Sequence, residues 1–133
     1  MSHFPLAYRW FLIKGLSDWQ PWYFIDTPET VEREPQFLDN QNFARAFRTE
    51  TGADFDVYLF ARRQDMDDFA FFVVQNGRIE DRVVRIHLSF SNRFELRDPL
   101  RYSDPKFTFI EWVREEVISD VSDWMSEEDL PRL

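Results

Sequence analysis

The chain has 133 residues, 44% of them apolar and 18% aromatic, which is enough to fill one core of ordinary domain size and argues against long disorder. It has no cysteine, which excludes disulfides, thiolate metal sites and a cysteine nucleophile. A net charge of −9 argues against nucleic-acid binding through a basic surface, and is compatible with a basic protein partner as well as with plain solubility.

Residues 1–133 read as a single domain. The opening M-S-H-F-P-L-A-Y has neither the basic start nor the apolar run of a signal peptide. No apolar run approaches the ~20 residues of a membrane helix. With no bridges to suggest secretion, the expected location is the cytoplasm.

The first expected helix is Phe4–Lys14, with Pro5 in its first turn and Gly15 as a left-handed cap. Its Leu6, Trp10 and Ile13 lie close to one face, with Phe11 nearby, and are expected to pack on a sheet. Trp22–Ile25 follows the proline turn at Gln20–Pro21 as a short strand. Thr27-Pro28-Glu29 resembles a helix start, and Pro35 limits that helix to a short one. Asn42–Arg48 is expected to form another short helix, ended by a turn at Thr51-Gly52.

Two apolar runs then flank a charged connection. Asp54–Phe60 alternates, with Phe55, Val57 and Leu59 on one face. Phe69–Val74 is apolar almost throughout, as in a strand covered on both sides. Between the runs stand Arg62, Arg63, Asp65, Asp67 and Asp68, charges that a buried turn could not hold unpaired. Asn76-Gly77 suits a two-residue hairpin turn. In the strand beyond it, Val84, Ile86, Leu88 and Phe90 oppose Arg85, His87 and Ser89. After an irregular stretch, Asp104-Pro105 is expected to start the last helix. Its apolar stripe is Phe107, Ile110, Val113, Val117, Val121 and Trp124.

The catalytic inventory is thin. There is no Gly-rich phosphate loop and no serine in a G-x-S-x-G context, and the histidines are His3 and His87 alone. No cofactor and no catalytic residue is expected. Asp65, Asp67 and Asp68 could hold a hard cation or perturb one another's ionisation. Arg62 and Arg63 could equally pair with them. A second acidic group, Glu116, Asp120, Asp123 and Glu127, shares one face of the last helix, where it opposes the helix dipole. Such a strip is either a solvated face or a docking surface for a basic partner. Trp22 and Tyr23 are candidate aromatic anchors, with core packing as the alternative.

Several motifs resemble the SUKH superfamily, in its Smi–Knr type. The opening P-x-x-Y-x-x-F-L is met by Pro5, Tyr8, Phe11 and Leu12. The central F-A-R-R-Q run is Phe60–Gln64, leading into Asp67, Asp68, Ala70 and Phe72. A strand ends at Ile86-His87, and a late F-x-x-W is met by Phe109 and Trp112. Gly15 stands where relatives often have a glycine pair, and Phe71 where they often have cysteine or a small apolar residue. The resemblance implies an α+β domain, a mixed or largely antiparallel sheet with helices packed against it. It also implies a binding protein rather than an enzyme. Many bacterial members are immunity proteins that neutralise toxin domains, often nucleases; others are regulatory adaptors. The expected function is therefore toxin neutralisation through Asp65, Asp67, Asp68, Trp22, Tyr23 and the acidic strip. A regulatory adaptor and a metal-dependent hydrolase using the aspartates are the rivals.

Overall fold

The structure is a computed structural model that describes residues 3–25, 40–88 and 99–130. The expected helix start at Thr27-Pro28-Glu29, and Phe90 and Ser89 of the expected strand pattern, lie outside those residues.

Helix α1 (Leu6–Ile13) leads to strand β1 (Trp22–Phe24), and helix α2 (Asn40–Thr51) precedes three long strands. These are β2 (Asp56–Arg63), β3 (Asp68–Gln75) and β4 (Arg78–His87). They form a four-stranded sheet in the order β1-β2-β3-β4, with every pair antiparallel. The last helix, α3, runs as Phe109–Trp112, a π-helical stretch Val113–Val117 and Ile118–Trp124, before a 3₁₀ turn at Glu127–Asp129. The protein is thus an α+β domain, and the hairpin turn carries positive φ at both Asn76 and Gly77, as a primed turn requires.

The sheet is covered on both faces. Phe43, Ala44 and Phe47 of α2 pack with Val57, Leu59, Phe69, Phe71, Val73, Val84 and Ile86. On the other face Tyr8 and Phe11 of α1 and Phe109, Trp112, Val113 and Val117 of α3 pack with Phe60, Ala70, Phe72 and Val83. The near-continuous apolar run of β3 follows from this double cover: Phe69, Phe71 and Val73 face α2, while Ala70 and Phe72 face α1 and α3.

Two expectations about the helices are corrected. In α1 the packed residues are Tyr8 and Phe11, while Leu6, Trp10 and Ile13 are exposed at 71%, 56% and 82%. The aromatic pair wins because its rings fit a cluster of rings. Tyr8 meets Phe60 and Phe109 edge-on at 5.2 and 5.0 Å, and Phe11 meets Phe109 at 5.0 Å. The Tyr8 hydroxyl also donates toward the Ile25 carbonyl at 2.5 Å, with that of Phe60 at 3.2 Å. Gly15, at φ 70°, ends α1 as expected: its N–H and that of Leu16 bond back to the Leu12 and Phe11 carbonyls.

The last helix does not start at Asp104-Pro105. It starts at Phe109, behind Thr108, whose hydroxyl accepts from the Glu111 N–H while the Glu111 carboxylate accepts from the Thr108 N–H. That reciprocal pair holds the Glu111 carboxyl below its ordinary pKa. Phe107 instead forms a β-bridge with Val83. The shifted start turns Phe109 and Trp112 inward and leaves Ile110 exposed.

Candidate functional site

A bulge in β2 builds the site. Leu59 pairs with Phe71 but Ala61 pairs with Ala70, so β2 holds one extra residue at Phe60. An extra residue reverses the alternation beyond it. Val57 and Leu59 face α2, whereas Arg63 comes out on the α3 side, opposite Trp22 on β1. Arg85 reaches the same side by simple alternation, opposite Ala70, and Asp68 pairs with His87 one step further along. One end of an otherwise aromatic layer therefore carries two arginines.

The acids come from three directions. Asp65 binds Arg63 through two parallel hydrogen bonds of 2.8 and 2.7 Å, the geometry that suits a guanidinium best. That fork holds the Asp65 carboxyl below its ordinary pKa. Asp68, 8% exposed, meets Arg85 at 2.8 Å and His87 Nδ1 at 2.9 Å. From α3, Asp120 reaches Arg63 at 3.3 Å and Arg85 at 3.1 Å, and it accepts the Trp22 indole N–H at 2.9 Å. Glu116 adds a 3.5 Å contact to Arg85. Burial pushes the Glu116 carboxyl up, against the pull of Arg85. Arg85 lies over the Trp22 ring at 5.1 Å, so the indole supports the cation by its face and the anion by its N–H.

Four carboxylates thus share two guanidinium groups, and the cluster keeps an excess of negative charge. His87, its side chain 63% exposed, stands at the rim. Glu116 lies within the π-helical turn, a distortion that recurs at functional positions.

The candidate residues from the sequence are divided by this arrangement. Trp22 is 1% exposed and Asp68 is buried, so neither is a surface anchor; both are internal members of the cluster. Asp120 and Glu116 turn toward the sheet arginines instead of forming an outer strip with Asp123 and Glu127. Tyr23 is exposed at 46%. Asp67, with half its side chain exposed, lies 3.9 Å from Arg62. The side chains of Asp123, Glu127 and Glu128 are exposed and make no ion pair among the described residues. Nearby, Asp18, Gln20, Val121, Trp124, Met125, Ser126 and Leu130 line a groove of about 280 Å³.

The expected pairing of Arg62 and Arg63 with the aspartates is seen, in Arg62–Asp67 and Arg63–Asp65, whereas Arg85 is the member that sequence reasoning did not assign to the site. A signal existed: Arg85 alternates onto a face that α3 covers, and acids recur on α3 at matching spacing. Asp65, Asp67 and Asp68 do not converge on a common point, and the described residues contain no group of three metal-ligating side chains. No helix among them is long and apolar enough to cross a membrane. No family model, curated protein or solved structure matches the chain.

Proposed function

We propose that the chain is a SUKH-superfamily domain of the Smi–Knr type that acts in the cytoplasm as an immunity protein. It binds a basic bacterial toxin domain, with a nuclease as the leading class, and neutralises it by covering its active site rather than by chemistry of its own.

The observation that carries this reading is the uncompensated acid at one end of the molecule. Inside the cluster four carboxylates share two arginines. Beyond it Asp123, Glu127 and Glu128 stand exposed beside a groove of mixed character, in which Asp18, Gln20 and Ser126 face Val121, Trp124, Met125 and Leu130. Steering by such a field, together with a groove for an apolar anchor, is how an acidic inhibitor captures a basic enzyme. The buried acids contribute through their field; the exposed Tyr23 belongs to the α2 face of the sheet, opposite this groove.

The test is co-expression with the C-terminal domain of a secreted toxin encoded beside this chain, followed by affinity measurement on the purified pair. Relief of toxicity with one-to-one binding is expected. The variant Asp123→Lys/Glu127→Lys/Glu128→Lys should stay folded and bind roughly 10- to 100-fold more weakly, mainly through a slower on-rate. Full affinity in that variant would remove this end of the molecule from the interface. Persistent toxicity beside the wild-type chain would remove the immunity reading.

A further inference from the structure

A second concavity carries the opposite charge. Ala44, Arg45, Arg48, Asp56, Val57, Tyr58 and Val74 line a cavity of about 360 Å³ between α2 and strands β2 and β3. That volume falls in the range that holds small ligands. None of its residues belongs to the charged cluster, so a role for this cavity is independent of the protein-binding reading.

The two arginines are differently placed. Arg48 is fixed: its Nη1 lies 2.5 Å from Asp56 Oδ1, and that oxygen is itself held by the Val57 N–H at 2.9 Å. Arg45, three residues earlier on the same helix, meets no carboxylate among the described residues. With Asp56 consuming one positive charge, the lining keeps one in excess among the described residues, in a chain of net charge −9. A solvated arginine on a convex surface would be unremarked, but this one borders a concave wall whose remaining members include Ala44, Val57 and Val74.

We propose that this cavity binds a small organic carboxylate. The Arg45 guanidinium takes the carboxylate through its paired N–H donors, Arg48 offers the N–H groups that Asp56 leaves, and the apolar body rests mainly on Val74, since Ala44 and Val57 are largely buried. Guanidinium geometry matches a carboxylate fork, and a single excess charge matches a monoanion. Inorganic phosphate is a poorer match, because it brings more charge than the lining offsets and no apolar surface for the wall.

The experiment is a ¹H–¹⁵N NMR titration of the whole chain at constant ionic strength. Benzoate is the probe, with benzamide as its neutral counterpart and inorganic phosphate as the competing anion. Saturable shifts centred on Ala44, Arg45, Val57 and Val74 are expected with benzoate, at a dissociation constant on the order of 1 mM. Benzamide and phosphate should bind at least about tenfold more weakly, the factor that one lost charge-assisted contact of about 1.4 kcal/mol sets. Arg45→Gln, at an exposed position, should keep the folded spectrum and lose the benzoate response by a similar factor. No saturable response to benzoate, equal binding of benzamide, phosphate binding at least as tightly, or an unaffected Arg45→Gln would each overturn the proposal.

Discussion

On the α2 side of the sheet, Phe47 sits against Phe71 at 5.4 Å in a cluster of apolar side chains, and Arg62 lies over the Phe69 ring at its edge. On the α3 side an equally aromatic layer, with Phe60 stacked on Phe72 at 4.0 Å, gives way at one end to Arg63, Arg85 and the acids that hold them. The first face is closed by shape and apolar area. The second is closed partly by charges that each depend on the others. Removing a side chain from either face should be costly, but for different reasons: a void on one, an orphaned ion on the other.

The largest effect is expected at Asp120. It contacts both arginines and the Trp22 indole, so Asp120→Ala leaves two cations short of a partner and should cost about 3–5 kcal/mol. Asp120→Asn preserves volume and should recover little of that loss. On the opposite face Phe47→Ala should cost a similar 3–5 kcal/mol or so, yet Phe47→Leu, which retains most of the volume, should recover much of it. Urea midpoints for the four variants test the contrast directly. A mild Asp120→Asn would mean that shape, not charge, closes the α3 side as well.

A smaller effect is expected where α1 makes a polar link to the sheet. Tyr8 is fully buried, and its hydroxyl reaches the Ile25 carbonyl just beyond β1. Tyr8→Phe keeps the ring contacts and strips that carbonyl of its donor, so a loss of about 1–3 kcal/mol is expected from thermal or urea unfolding. An unchanged midpoint would show that the ring alone positions α1.

These contrasts also mark what the sequence could convey. The strands were legible because alternation and the Asn76-Gly77 turn are local signals, and so was the double cover of β3. The buried face of α1 was not, because Leu6, Trp10 and Ile13 have the right period, while the competing face of Tyr8 and Phe11 is favoured only by rings that arrive from β2 and α3. The site was half legible. Every acid in it stood out as a cluster or a stripe. Their division into inward and outward groups depended on a bulge at Phe60 that re-aims Arg63, and on two arginines separated by 22 positions in the chain. Long-range pairing of that kind leaves no pattern in a window of neighbouring residues.

The subtlest distinction lies within the cluster, between Asp65 and Glu116, and pH separates them. The Arg63 fork lowers the Asp65 pKa, so Asp65 contributes stability that is present above its ordinary value of 3.8 and is lost as pH falls through the lowered one. Glu116 behaves in the opposite sense. Burial, with repulsion from Asp120, raises its pKa above 4.5 despite Arg85. The native state then holds this proton more tightly than the unfolded state. Stability from Glu116 is therefore greatest below pH 4.5 and declines as pH rises through the raised value. Glutamine mimics the protonated acid, so Glu116→Gln should be at least as stable as the wild type at pH 7. That advantage should vanish below the ordinary carboxylate range, whereas Asp65→Asn should lose stability at pH 7 and converge with the wild type on acidification. Urea midpoints from about pH 3 to 8 read both trends. If Glu116→Gln were instead less stable at pH 7, the 3.5 Å contact with Arg85 would outweigh the burial of the charge.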